Sequence, residues 1–337
     1  SDGYLSKNVS SNNCKVFGTF ICGGGSTMGY KLAGFTHLGG VEIDPKIADV
    51  YRINHKPKHL FNEDIREFNK RTDLPEELYS LDILDGSPPC STFSMAGSRE
   101  KGWGKEKVFR EGQTMQTLDD LVFVYCDTII KLQPKVFLLE NVKGIIQGNA
   151  KSYSKKIAQK MTAAGYTVQV FCLNAASMGV PQKRERVFFI GYRNGLGYPK
   201  LKLAFNERAV TFGEIKEDVS YNDLTPREYH LWSNRKDGDL DFGFINKRLG
   251  NKQNSFTTKL LYGDRVSNTV TGGDNNVLFD IPRKTTKKEV CQIGTYPLDY
   301  NFKSINPKYL IGMSVPPVMT AQIAYQIFKQ WLSNEER

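Results

Sequence analysis

No stretch of this chain limits its fold more than Asp85-Gly86-Ser87-Pro88-Pro89-Cys90-Ser91-Thr92-Phe93. The largely apolar residues 81–84 before it read as a buried strand, and the glycine and two prolines stop that strand in a stiff, locally extended turn. Cys90 therefore falls at a strand's carboxyl end, the edge of an open α/β sheet where ligands bind. A lone cysteine is ordinarily a small buried hydrophobe. A thiol held at that edge by two prolines is instead placed to act as a nucleophile, and the rest of the chain decides between the two.

At 337 residues the chain can support two domains, because single cores stop growing near ~250 residues. Its 39% hydrophobic and 12% aromatic content is that of an ordinary globular protein. No apolar run approaches a membrane span, and residues 1–11 are polar. Neither export nor membrane insertion is expected, and the cytoplasm is the expected location. Six cysteines without a CxxC pair, with four histidines, argue against a disulfide scaffold and against a metal site. A net charge of +10 suits a polyanionic partner.

Residues 15–21 form a β-rich run that ends in Cys22-Gly23-Gly24-Gly25-Ser26-Thr27-Met28-Gly29, after which a helix begins. Strand, glycine turn and helix start make a backbone cradle at the positive end of a helix dipole. Met28 stands where GxGxxG needs its third glycine, so a tight turn without a ligand fits equally well. A second strand, residues 37–43, ends at Glu42-Ile43-Asp44-Pro45, and another short strand precedes Asp64. Each acid alone suits a helix cap, Asp44 before Pro45 above all. Together they outline an adenosine site, Glu42 for the ribose hydroxyls and Asp64 for an exocyclic amine.

Residues 91–114 have no period and are rich in Gly, Ser, Lys and Arg, as in a lid or binding loop, with plain disorder as the alternative. Lys101, Lys105, Lys107 and Arg110 would let such a lid close over phosphates. A helix over 118–132 and a strand over 136–139 follow, and the strand ends in Glu140-Asn141-Val142. Glu140 there faces the crevice of Cys90, its proton affinity free to rise, or simply caps the next helix. A helix over 152–165 and strands over 166–173 and 187–192 flank Gln182-Lys183-Arg184-Glu185-Arg186. Alternate residues of a strand share a face, so Arg184 and Arg186 point the same way, and guanidiniums leading into a buried strand must meet anions or carbonyls.

In order, Phe20 with the Gly23 to Gly25 turn, Glu42, Asp64, Pro89-Cys90, Glu140-Asn141-Val142, Gln182 to Arg186, and Gly312-Met313-Ser314-Val315-Pro316-Pro317 resemble the DNA (cytosine-5) methyltransferase family. The likeness covers about residues 15–195 and 265–330, and motifs in the family's order outweigh the weakness of each alone. It implies an α/β fold: a Rossmann-like S-adenosylmethionine-dependent methyltransferase domain with a mixed, mostly parallel sheet, plus a smaller irregular target-recognition domain. The catalytic domain would span 1–195 and be completed by 305–337, whose last helix, about 318–332, returns beside the first strand. The recognition domain would span 196–304.

By the same resemblance Cys90 is the nucleophile, Glu140 the acid, Asn141 its aid, and Arg184 and Arg186 the substrate-pocket arginines. S-adenosylmethionine would lie against Phe20, Cys22, Gly23, Gly24, Gly25, Glu42, Ile43, Asp64, Ile65, Pro89, Met313, Ser314 and Val315. Double-stranded DNA would meet Ser91, Arg99, Lys101, Arg110, Arg227, Arg235 and Arg265. No metal is implied. A monomer of prokaryotic or phage-encoded type, with a restriction nuclease acting separately, is the family's pattern.

The chemistry suits these residue types. Carbon 5 of cytosine is a poor nucleophile, but a thiolate added at carbon 6 turns the ring into an enamine that attacks an electrophilic methyl. Protonated Glu140 would hydrogen-bond ring nitrogen 3, and the arginines would hold the exocyclic oxygen and the thiolate side. The base must leave the stack, and the 91–114 loop would close behind it. Residues 194–265 mix basic and aromatic side chains as a nucleic-acid surface does, or as a small irregular domain does. Pro282-Arg283-Lys284-Thr285, with Glu289 and Gln292, resembles the segment that braces that domain.

Three positions depart from the family: Cys22 for glycine in the cofactor loop, Ser91 for glutamine after the nucleophile, and Met313 for asparagine. The third leaves room for a modified sulfonium donor. Two other readings stand beside the main one: methylation of cytosine in a structured RNA such as tRNA, and a DNA-binding paralogue without catalysis.

Overall fold

The computed structural model describes residues 9–89, 121–273 and 275–333. Cys90, Ser91, Arg99, Lys101, Arg110 and the expected lid all lie outside them. Compactness divides the chain into two units, Ser1–Asn174 with Glu185–Ala204 and Thr320–Arg337, and Ala175–Arg184 with Phe205–Met319.

The first unit carries a seven-stranded sheet of β1 (Lys15–Thr19), β2 (Thr36–Val41), β3 (His59–Phe61), β4 (Ile83–Gly86), β5 (Val136–Val142), β6 (Tyr166–Asn174) and β7 (Glu185–Arg193), in the order β3-β2-β1-β4-β5-β7-β6. The first five are parallel, and β7 runs antiparallel to both β5 and β6, so the sheet is mixed and mostly parallel. From β1 the chain first fills one side with β2 and β3, then crosses to β4 on the other. The β1/β4 boundary is therefore the switch point whose carboxyl edge forms a crevice.

Among the described residues this unit includes the helices α1 (Gly25–Leu32), α2 (Pro45–His55), α3 (Ile65–Lys70), α4 (Leu121–Leu132) and α5 (Lys151–Ala163). Helices on the sheet faces explain why β4 and β5 open on apolar residues, Ile83 and Leu84 in one and Val136 to Leu139 in the other. α4 buries Leu121, Tyr125, Ile129 and Leu132, and the Tyr125 hydroxyl lies 2.9 Å from both the Leu84 and Leu138 carbonyls, bolting β4 to β5. A Cβ on Gly86 would stand 2.4 Å from the Tyr125 ring, so only glycine allows that approach. The register of β1 on β2 slips between Val16 and Phe17, where Gly39 takes φ +130° and a Cβ would meet the His59 carbonyl at 1.8 Å.

The second unit holds α6 (Pro226–Ser233), α7 (Phe242–Arg248), the parallel pair β8 (Thr258–Leu261) and β9 (Asn275–Leu278), α8 (Lys287–Ile293) and α9 (Pro307–Met313). Two small cores form, one from Phe212, Leu261, Val270, Leu278 and Ile293, the other from Leu231, Phe242, Ile245, Leu260 and Val277. The side chains of Arg283 and Glu289, both 0% exposed, pair at 2.7 Å. Glu289 also closes the capping box of α8 with Thr286.

α10 (Pro317–Ile327) carries the chain back to the first unit and continues as π turns over Phe328–Leu332. There Phe328 meets Phe35 edge-on, and Trp331 stacks on Tyr198 while its Nε1 donates to the Pro199 carbonyl at 2.8 Å.

Candidate active site

The cradle after β1 is built from strained backbone. Phe20 and Cys22 take φ of +55° and +47°, and Gly24, the N-cap of α1, takes +72°. Left-handed geometry costs a non-glycine residue about 1–2 kcal/mol, so the surroundings must hold it. The Cys22 amide donates to Glu42 Oε2 and the Asp44 amide to Oε1, each at 2.9 Å. Burial, only partly offset by these bonds, pushes the Glu42 carboxyl up to about 7. On the other side His55 Nε2 lies 3.3 Å from the Gly23 carbonyl, and a Cβ on Gly24 would stand 2.2 Å from that nitrogen. Burial, with Lys31 adding to it, holds His55 down at about 3, so the ring is neutral. No side chain caps α1.

The ends of β2 and β3 join this cradle. Asn62 Nδ2 donates to the Glu42 and Ile43 carbonyls at 2.7 and 3.2 Å and fixes their direction. Asp44 caps α2 through the amides of Lys46 and Ile47, as the following proline suggests. Asp64 is itself a helix cap, accepting from the Arg66 amide at 2.7 Å and its guanidinium at 3.1 Å. Its half-exposed carboxylate keeps lone pairs for a further donor. Ile65 is buried against Leu121, with Phe20 packed on both. Phe20, Cys22, the three glycines, Glu42, Ile43, Asp64 and Ile65 thus share one sheet edge. Glycine backbone, a carboxylate fixed by two amides and an uncapped helix start suit a nucleoside-bearing cofactor such as S-adenosylmethionine.

At the neighbouring edge, β5 runs longer than its apolar core. Pairing with β4 ends at Gly86 and Leu139, but Glu140, Asn141 and Val142 continue against Phe188, Val187 and Arg186 of β7. Antiparallel bonds keep these polar residues in the strand, where apolar pattern alone ends it. Glu140 consequently overhangs the end of β4, and Arg186 Nε lies 3.0 Å from its Oε1, with side-chain exposures of 11% and 15%. Burial lowers the Arg186 guanidinium from its ordinary value, against the pull of Glu140. Asn141 Nδ2 donates to the Pro88 carbonyl at 3.3 Å, tying this edge to the turn that leads into Pro89 and Cys90. Pro89, half-buried, is the last described residue before Cys90.

Arg184 does something else. It precedes β7, so the shared-face argument does not reach it, and it belongs to the second unit. Buried there, it donates to the carbonyls of Val270, Gly312 and Ser314 at 3.0, 3.0 and 2.9 Å. It thus clamps the backbone around Met313, which is 45% exposed, and Ser314, which is buried beside Val315.

Asp85 has no role in the sequence reading, yet it is buried at the same edge. The Tyr30 hydroxyl donates to its Oδ1 at 3.2 Å, Ser26 also bonds it, and the Thr19 hydroxyl donates to its carbonyl. Burial first, with Glu140 adding to it, pushes its carboxyl up to about 7. The available signal was an acid placed between Leu84 and Gly86 in an otherwise apolar strand.

Of the expected DNA contacts in the second unit, Arg227 is exposed on α6. Arg235 is a packing cation, 3.4 Å above the Trp232 ring and 5.0 Å from Phe279, bonded to both their carbonyls. Arg265 lies 4.0 Å over Tyr262, which stacks on Phe279, and its side chain is 42% exposed at the end of that ladder.

The family model described as C-5 cytosine-specific DNA methylase matches residues 15–329. The Type II methyltransferase M1.HphI of Haemophilus parahaemolyticus is 27% identical over 336 residues, covering 92% of this chain and 85% of that protein. M.NgoPII of Neisseria gonorrhoeae, also a Type II methyltransferase, is 27% identical over 355 residues, 94% and 96% of the two chains. Among solved structures, a Spodoptera frugiperda DNMT2 mutant superposes with a TM-score of 0.64 at 18% identity, over 94% of this chain and 100% of that one, a likeness of fold.

Proposed function

The chain belongs to the C-5 cytosine-specific DNA methylases, S-adenosylmethionine-dependent enzymes, and from that premise we propose that it methylates carbon 5 of a cytosine flipped out of a specific sequence in duplex DNA, through a covalent Cys90 adduct. Support comes from one arrangement above all: the Glu140–Arg186 pair overhanging β4, tied by Asn141 to the turn before Cys90.

S-adenosylmethionine, when bound, supplies an electrophilic methyl on a sulfonium. The cradle of Gly23, Gly24 and Gly25 with Glu42 and Asp64 would hold it. The Cys90 thiolate adds to carbon 6 of the ring, and Glu140 gives its hydrogen to ring nitrogen 3, where negative charge gathers. Arg186 neutralises the carboxylate this leaves. Carbon 5 then takes the methyl, loses its proton, and the sulfur–carbon 6 bond breaks. Met313 bears on which sulfonium is accepted, an idea to abandon if Met313→Asn leaves the relative use of methyl and extended donors unchanged. Action in the cytoplasm, as a monomer beside a separate restriction nuclease, is the setting we infer.

The decisive experiment incubates the protein and S-adenosylmethionine with duplex DNA carrying 5-fluorocytosine, whose fluorine cannot leave as a proton does. Denaturing mass spectrometry should find an adduct on the Cys90 peptide that Cys90→Ser lacks. An adduct on fluorinated RNA alone would move the substrate to RNA, and none on either would leave a DNA-binding protein without catalysis.

A further inference from the structure

Left-handed backbone recurs through the turn between β1 and α1. Phe20 and Cys22 adopt it without being glycine, and Gly24 follows them at φ +72°. Backbone bonds hold part of this shape: the Ile21 amide donates to the Val41 carbonyl at 3.4 Å, and the Gly24 amide to the Ile21 carbonyl at 2.8 Å. Side chains at either end of α2 grip the rest. Glu42, just before that helix, accepts from the Cys22 amide, and His55, its last residue, reaches the Gly23 carbonyl at 3.3 Å.

A carbonyl only accepts, so His55 Nε2 carries the hydrogen of that bond. The same nitrogen would lie 2.2 Å from a Cβ on Gly24, with the ring's Cδ2 and Cε1 at 2.7 and 2.9 Å, so the imidazole fills the space a side chain there would need. The ring is buried and packs on Tyr51 with centroids 4.6 Å apart, and the Tyr51 hydroxyl lies 3.0 Å from Thr27 Oγ1 in α1. Lys31, also of α1, donates to the His55 carbonyl at 3.0 Å. Through Tyr51 and Lys31, His55 is fastened to the helix that the glycine turn opens. Filling the space alone would need no nitrogen, since an apolar side chain packs as well and buries no polar group. The donor aimed at Gly23 is what sets histidine apart.

We propose that His55 is a positioning residue for the cofactor: by holding the Gly23 carbonyl and walling Gly24, it keeps the turn in the conformation that receives S-adenosylmethionine. The inference rests on the reading of this turn as the cofactor cradle. His55 is given no contact with the donor and no step of methyl transfer. Its effect is on affinity, because a turn left free to relax must be ordered again each time the donor binds.

Equilibrium dialysis of the full chain against tritiated S-adenosylmethionine reads that affinity. His55→Ala should raise Kd about tenfold or more, while the single-turnover rate on unmethylated duplex DNA at saturating donor stays within about twofold. His55→Gln, whose amide N–H can reach the same carbonyl, should recover all but about threefold. Damage to the fold at large would lower the saturated rate as well. That outcome, an unchanged Kd, or a glutamine variant no better than alanine would overturn the proposal.

Gly24→Ala supplies a second signature, because its Cβ meets the His55 ring. Combined with His55→Ala, it should bind the donor at least about threefold more tightly than the product of the two single losses predicts. Losses that simply multiply would refute the wall. A third measurement needs no ligand: amide hydrogen exchange over residues 20–25 of the protein alone should quicken about tenfold or more in His55→Ala, with β4 and β5 unchanged, and an unmoved rate there counts against the idea. If the wild type binds no S-adenosylmethionine, the cofactor reading fails, and the exchange arm still decides whether His55 holds the turn. Should His55→Ala not fold, His55→Leu, which has bulk and no donor, carries the same expectations in dialysis and exchange.

Discussion

A histidine that stays neutral packs against the glycine turn after β1. In an unfolded chain histidine binds its proton near pH ~6.5, whereas His55 in place does so only near 3. Between those values the unfolded chain holds a proton that the folded chain does not, so this contribution to stability falls as pH drops. Glu42 and Asp85, raised to about 7, act oppositely and lose stability as pH rises through ~4.5 to 7. The His55 effect is therefore read as a difference. From pH 7.5 to pH 5, wild type should lose about 2 kcal/mol relative to His55→Gln in urea denaturation; a gap constant with pH would refute it. That His55 and Asp85 lie at this sheet edge was not legible, because burial against distant neighbours puts them there. The positions of Glu42 and Glu140 were, because each stands at the end of an apolar run.

At the scale of elements, the strand–turn–helix units of the first sheet are written in the sequence as apolar runs closed by glycine, proline or acid. Less visible is where a strand ends when its partner, not its own pattern, decides, as in the three extra residues of β5. The segment around Arg184 is a second case. Two arginines two residues apart look equivalent, yet one precedes the strand and spends its donors on three carbonyls. Arg184→Ala should lower the unfolding free energy by about 3–5 kcal/mol, as loss of a buried charged partner does. Arg184→Lys should recover only part, since an ammonium does not reproduce the planar fork. Full stability in either variant, measured by denaturant, would show that the clamp carries no load.

For the whole molecule, the excess of positive charge was plain from composition, and its use follows from phosphate chemistry. Affinity for duplex DNA should fall by about a thousandfold or more between 50 and 200 mM salt, and Arg265→Ala should reduce the slope of log K on log salt by about one. Arg235→Ala should instead lower stability, because its guanidinium is packed between Trp232 and Phe279. A binding constant indifferent to salt would deny the protein its polyanionic partner. Nothing local in residues 317–333 announces what they pack against.

That return of the chain also sets a clock for synthesis. Phe35 waits for Phe328, and Pro199 for the indole of Trp331. At a translation rate of ~5–20 residues per second, some ~15–60 s pass between the emergence of the first ring and its partner. Through that interval Phe35 of the nascent first unit lacks the ring that packs on it. A half-made copy therefore exposes a surface for chaperones to hold before the protein is complete.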